Sequence, residues 1–250
     1  MKKILSAIAV STILSASLCA DMTRVEIGAG AWAQTPSGTA DYNAGAGVTG
    51  TNTFDEKKDT SAYVWMLIKH PVPVVPNLRL EYVSIHATGT ATGAWGGVAI
   101  PGSSNSVLDI KEYDIIPYYN ILDNTFWTTI DLGLDIKVMN LDYTVAQNGL
   151  FPGYQDSYTA PVPLLYARVR VEIPTTDIGL ESDVKYITTG SSTVYDIRAK
   201  IDYTFDISPI VQPALEIGYR TQKIKIDEDG EDVKTDMDFS GFYAGLMLRF

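Results

Sequence analysis

Few residues in this chain have the type and spacing to do chemistry. It holds two histidines, His70 and His86. His70 closes an apolar strand beside a proline-rich turn. His86 shares parity with Leu78, Leu80 and Tyr82, which predicts an outward side chain near one rim. An Asp–His pair at a rim is the equipment of a surface hydrolase, but no such constellation is legible. No serine has a placed histidine partner. No catalytic residue is assigned, and the chain is expected not to be an enzyme. The acidic run Asp227-Glu228-Asp229-Gly230-Glu231-Asp232 fails as an EF-hand, because Lys225 and Asp236 stand where that loop needs ligands. Asp227, Asp229, Glu231 and Asp232 are at most a loose divalent-cation site bridging lipopolysaccharide phosphates; the alternative is a solvated hairpin loop. Gly45, Gly47 and Gly50 match a dinucleotide fingerprint in a loop with no helix after it, so the match is compositional and no cofactor is expected.

The remaining chemistry lies in charges on alternating strand positions. In Ser192–Asp206 the odd positions are apolar and aromatic: Tyr195, Ile197, Ala199, Ile201, Tyr203 and Phe205. The even positions carry Asp196, Arg198, Lys200, Asp202 and Asp206. Period 2 over 15 residues predicts a β-strand between lipid and a wet interior.

Ten such strands are predicted, at 23–33, 60–70, 77–88, 107–119, 125–145, 161–173, 177–189, 192–206, 210–226 and 238–250. The second is apolar on both faces, so its parity stays open. Connections after odd strands are mostly long and those after even strands short, which an up-and-down membrane barrel requires and a sandwich does not. The predicted fold is therefore an all-β, transmembrane, antiparallel ten-stranded barrel with both termini periplasmic. The Gly- and Thr-rich connections 34–59 and 89–106 are expected to be mobile, with little packing of their own.

The 250-residue chain opens with Met1-Lys2-Lys3, an apolar run from Ile4 and a small residue, Ala20. Residues 1–20 are expected to be a secretory signal peptide and 21–250 the barrel domain. Cys19, the single cysteine, raises a lipoprotein alternative that the large Leu18 disfavours. Loss of Lys2 and Lys3 would move the net charge from −11 to −13, which disfavours nucleic acid as a partner.

Register follows from the hairpins. A two-residue loop at Thr175-Thr176 sets Arg170 opposite Glu181 and Arg168 opposite Asp183. A loop at Gly190-Ser191 sets Lys185 opposite Asp196, Asp183 opposite Arg198 and Glu181 opposite Lys200. A three-residue loop at Ile207–Pro209, chosen partly because it pairs charges, sets Lys200 opposite Glu216 and Asp196 opposite Arg220. The expected interior is near charge balance. Its bases are Arg24, Arg79, Lys137, Arg168, Arg170, Lys185, Arg198, Lys200 and Arg220. Its acids are Glu26, Glu81, Glu112, Asp114, Asp131, Asp135, Glu172, Glu181, Asp183, Asp196, Asp202 and Glu216. Near balance in a narrow barrel predicts an occluded interior rather than a selective pore.

The last strand alternates Phe242, Ala244, Leu246, Leu248 and Phe250 on one face. It resembles the C-terminal signature of outer-membrane barrels, which implies recognition by the barrel-assembly machinery. With Lys69-His70-Pro71-Val72-Pro73-Val74-Val75-Pro76-Asn77, the chain resembles a family of uncharacterised Gram-negative outer-membrane β-barrel proteins of about this length. The resemblance implies fold and location and brings no activity. The expected role is a monomeric structural or surface-interaction barrel of the bacterial outer membrane, in contact with membrane lipid and lipopolysaccharide. The alternatives are a narrow porin-like channel for small solutes and an outer-membrane enzyme acting on lipid or peptide.

Overall fold

A computed structural model describes residues 23–43, 49–72, 74–208, 210–227 and 233–250. Residues 1–20, Asp229, Glu231 and Asp232 lie outside the described residues. The strands are β1 (Arg24–Asn43), β2 (Thr49–Phe54), β3 (Asp59–Lys69), β4 (Asn77–Trp95), β5 (Val98–Thr125), β6 (Thr128–Val145), β7 (Tyr154–Glu172), β8 (Ile178–Thr189), β9 (Ser192–Thr204), β10 (Gln212–Ile226) and β11 (Val233–Arg249). All pairings are antiparallel, and β11 pairs with β1 from Glu26↔Arg249 to Tyr42↔Val233, closing the sheet into a ring.

Eleven strands replace the expected ten for a local reason. β2 and β3 both pair with β1 and with β4, so they occupy one position in the wall. The segment 55–58 interrupts that wall strand. β3 pairs with β4 only over Tyr63–Ile68, and β2 pairs with β4 over Gly50–Phe54 opposite Gly89–Gly93. Between these ladders Ser84–Thr88 of β4 face a slot, crossed by the bond from the Asp55 N–H to the Thr88 carbonyl, 2.8 Å.

The connections expected to be mobile are largely strand. β1 runs on to Asn43, β4 on to Trp95, and β4 and β5 are joined by Gly96-Gly97, both at positive φ. The reason is visible at Gly89-Thr90-Ala91-Thr92, where β-branched threonines alternate with small residues that face inward. Phe126 and Trp127, expected in the fifth strand, instead sit in the β5–β6 turn with φ of 51° and 60°. The open parity of the second strand is settled: Trp65 and Leu67 are buried inward, while Val64 is exposed.

The wall has two zones of opposite polarity. In the half nearer the short turns, the outer face is apolar, with Leu132, Leu134, Ile136, Ile201, Leu215, Ile217 and Leu246 all exposed. The inner face of that half is charged. Aromatic residues mark the belt's upper edge: Tyr82 against Tyr113 at 5.0 Å, Tyr186 paired with Tyr195, and Tyr219 against Phe242 at 5.1 Å. Above this girdle the pattern inverts. On β5, Asp109 and Lys111 face out while Leu108 and Ile110 face in. On β10, Lys223 faces out and Ile224 is buried. A membrane crossing needs about 9–11 residues per strand. The 28 residues of β5 far exceed that, and the surplus builds a collar folded like a small water-soluble barrel.

Candidate functional site

The charged interior begins with register. The pairs Arg170↔Glu181, Arg168↔Asp183, Asp183↔Arg198, Glu181↔Lys200 and Lys185↔Asp196 are directly cross-strand. The third hairpin differs from expectation. Lys200 lies opposite Gly218 and Asp196 opposite Gln222, while Glu216 faces Asp202 and Arg220 faces Arg198. The connection, 205–211, has seven residues instead of the three assumed, and the register slips by two residues, which keeps every side chain on its face. The long basic side chains still reach their partners diagonally: Lys200 Nζ lies 2.9 Å from Glu216, and Arg220 lies 2.7 Å from Asp196.

The pairs that close the barrel cross the lumen rather than a ladder. Glu81 of β4 meets Lys185 of β8 at 2.6 Å and Arg198 of β9 at 2.5 Å. Asp114 of β5 meets Lys185 at 2.5 Å, and Glu112 meets Arg220 of β10 at 3.4 Å. Glu181 is the hub, with Arg168 at 2.9 Å, Arg79 and Arg170 at 3.3 Å and Lys200 at 3.4 Å. Trp65 closes one side: Lys200 and Arg79 lie over its ring at 4.6 and 5.0 Å, and its Nε1 donates to Glu216. Arg220 covers Trp32 at 4.6 Å. A further base, Arg249, pairs with Glu26 at 3.0 Å and Asp202 at 2.7 Å. Its parity with Met247 was the available signal, overshadowed by its neighbour Phe250. Glu172 is only half-buried at the barrel end.

Above the charges the collar is filled with apolar side chains. Trp32, Val83, Ile85, Leu108, Ile110, Met139, Ile224, Met237 and Phe239 form one cluster. A second, around Trp95, Ile100, Val145 and Phe151, sits at the long-hairpin end, where Tyr42 stacks on Trp95 at 5.3 Å. A cavity of about 10 Å³, lined in part by Tyr63, Trp65, Glu81, Glu112, Asp114, Arg198 and Arg220, interrupts the filling. That is room for about one water molecule.

Outside the collar, Lys223 sits between Asp236 at 2.6 Å and Asp238 at 2.8 Å. Burial opposes its charge, but the hydrogen bonds to the two carboxylates outweigh this and raise its pKa. The hydrogen bond from Lys234, 2.5 Å away, holds the exposed Asp227 carboxyl below its ordinary value. Among the described residues no group of three or more His, Cys, Asp or Glu side chains could hold a metal ion.

The two histidines part company. His70 accepts the Val72 N–H at Nδ1 and reaches the Pro76 carbonyl with Nε2 at 3.0 Å, so both ring nitrogens serve the turn. His86 does what the sequence did not disclose. Its Nδ1 lies 2.7 Å from Asp109 of the neighbouring strand, on the outer face, with both side chains about half exposed (49% and 51%). An Asp–His pair therefore exists. It was missed because Asp109 becomes its cross-strand partner only through the β4–β5 register.

No family model matches the chain, and no curated protein matches it. A closed antiparallel barrel with an apolar belt and a charged lumen defines the class: its structural neighbours are bacterial outer-membrane β-barrels. The outer-membrane protease OmpT from Escherichia coli aligns with a TM-score of 0.54 at 10% identity, over 91% of this chain and 96% of that one. The translocator domain of the autotransporter NalP from Neisseria meningitidis aligns at 0.45 and 13% identity, over 98% of each chain. These likenesses show the fold alone. The OmpT likeness also corrects the expectation that the chain is not an enzyme: a protease is built on a barrel of this kind, so the exclusion of catalysis does not stand.

Proposed function

We propose that the chain is an integral protein of the bacterial outer membrane, closed to solutes, with a structural or surface-interaction role carried by its collar. The short turns and both termini face the periplasm in this reading, and the collar stands in the lipopolysaccharide layer. The observation that carries it is the double filling. A charged slab with pairs across the lumen and an apolar core above it lie in series, and an ion would have to displace both. A near-balanced interior in which most charges are paired has no excess field of one sign to draw ions in. The partners proposed are membrane lipid, lipopolysaccharide and, through Phe242, Leu246, Leu248 and Phe250, the barrel-assembly machinery; the barrel acts as a monomer.

The test is electrical. The purified barrel, shown to be folded by heat-modifiable migration and inserted in a planar bilayer, is expected to give no unitary conductance steps above the bare bilayer. Regular, salt-dependent steps from the folded protein would replace this reading with a narrow channel.

A further inference from the structure

We infer that the β5–β6 turn is a lipid anchor: Phe126 and Trp127 sit in the headgroup boundary of the phospholipid leaflet on the short-turn side. This deepens the outer-membrane reading, rests on it, and uses none of the interior residues.

The turn is built against its own backbone preference. Thr125 pairs with Thr128, leaving a two-residue loop in which Phe126 and Trp127 have φ of 51° and 60°. Two left-handed residues in a row are the pattern of a type I′ turn, whose usual occupants are Asn and Gly. A residue with a Cβ is strained there, and a bulky aromatic gains nothing from the turn itself. Surrounding bonds hold the conformation. The Phe126 carbonyl accepts the Thr128 hydroxyl at 3.2 Å, and the Trp127 carbonyl accepts the Glu172 N–H at 2.9 Å. Strain held in place this way points to a use for the side chains it aims. Phe126 is 85% exposed and Trp127 55%, so that use lies outside the chain.

The turn continues the apolar belt. Val74, in the β3–β4 connection, is also left-handed, with a φ of 75°, and is 87% exposed. The Tyr119 hydroxyl donates to its carbonyl at 2.6 Å, which ties that connection to β5. With the exposed Ile121, these residues carry the lipid-facing surface of Ile115 and Tyr119 on toward the tip.

Depth selects the occupant. Thr125 is twelve residues from the girdle residue Tyr113, about 40 Å of strand, or about 28 Å of height at a tilt near 45°. The apolar band of such a barrel is about 25 Å tall, so the tip stands just past its far edge. The Lys69–Asp123 ion pair, at 2.7 Å, marks the polar zone at that level. Aromatic rings favour this boundary, where one side meets acyl chains and the other meets water. Phospholipid needs no pocket here, because burial of apolar surface is non-directional.

The folded barrel, identified by heat-modifiable migration, is placed in phosphatidylethanolamine–phosphatidylglycerol vesicles whose acyl chains carry a nitroxide near the headgroup or near the methyl end. Trp127 is read alone, because Trp32, Trp65 and Trp95 are buried inside the barrel and Trp127→Phe gives their share of the emission. The shallow nitroxide is expected to remove most of the Trp127 emission, and the deep one less. The double substitution Phe126→Asn/Trp127→Gly installs the pair that the turn prefers and should fold. If the aromatics served only the turn, its urea midpoint in vesicles would rise; with the anchor lost, the midpoint is expected to fall by about 1 M. Trp127 emission indifferent to both nitroxides and open to aqueous iodide, quenching strongest from the methyl end, or a midpoint that holds or rises in the double variant would each overturn the inference while leaving the inserted barrel intact. A chain that gives no heat-modifiable form in vesicles would overturn the outer-membrane reading together with it.

Discussion

Glu181→Ala is expected to destabilise the barrel by about 3–5 kcal/mol, the cost of breaking a buried ion pair by removing one partner. The side chain is buried and answers to four cations: Arg79, Arg168, Arg170 and Lys200. Removing it leaves positive charge facing positive charge in a slab with no bulk water to screen it. Asp135 is the opposite case elsewhere in the charged slab. It too is buried, yet neither carboxylate oxygen has a hydrogen-bond partner among the described residues. Replacing an unsatisfied polar group by an apolar one of similar shape is neutral or stabilising, so Asp135→Leu should leave the barrel at least as stable as the parent. Urea titration of the vesicle-inserted barrel, followed by tryptophan fluorescence, measures both. Equal losses in the two variants would show that the interior behaves as a uniform polar filling, without a hub.

Gly241→Ala is expected to cost more than about 4 kcal/mol and to abolish the compact, heat-modifiable form. Gly241 lies in the seam where β11 meets β1, opposite Gln34. A Cβ there would overlap the Ala33 carbonyl oxygen, and the Trp32 indole already donates to the Gly241 carbonyl at 3.2 Å. Neither neighbour is the free end of a flexible side chain, so the strands would have to part where the ring closes. Gly190 makes the control. It occupies the β8–β9 turn at a φ of +57°, with nothing within 4 Å of a Cβ, so Gly190→Asn should fold normally because Asn tolerates that conformation. Migration on a gel with and without boiling reads both outcomes.

Much of this molecule was legible in its residues because a strand's side-chain period is short and its neighbours in a meander are adjacent in sequence. Alternation placed Asp196, Arg198 and Lys200 on one face, and the tight hairpin at Gly190-Ser191 then set their partners on β8. Gly and Thr richness misled, because composition suggests a loop where alternation suggests a strand. The inversion above the girdle was written in Lys223-Ile224-Lys225-Ile226, which swaps the polarity of Glu216–Arg220 at unchanged parity.

Sequence by itself determined the local facts: which residues alternate, which hairpins are tight, and which face of each strand carries charge. Those depend on backbone geometry and on neighbours a few residues away. Only the tertiary structure decided what lies across the lumen and across the longer registers. Glu81 meets Lys185 because the ring brings β4 to face β8, a distance set by strand number and stagger that no single hairpin encodes. His86 meets Asp109 because β4 stays in step with β5 from Asn77↔Tyr118 to Thr92↔Ser103. Both contacts join residues far apart in sequence, and closure of the sheet is the physical event that creates the first and holds the second in place.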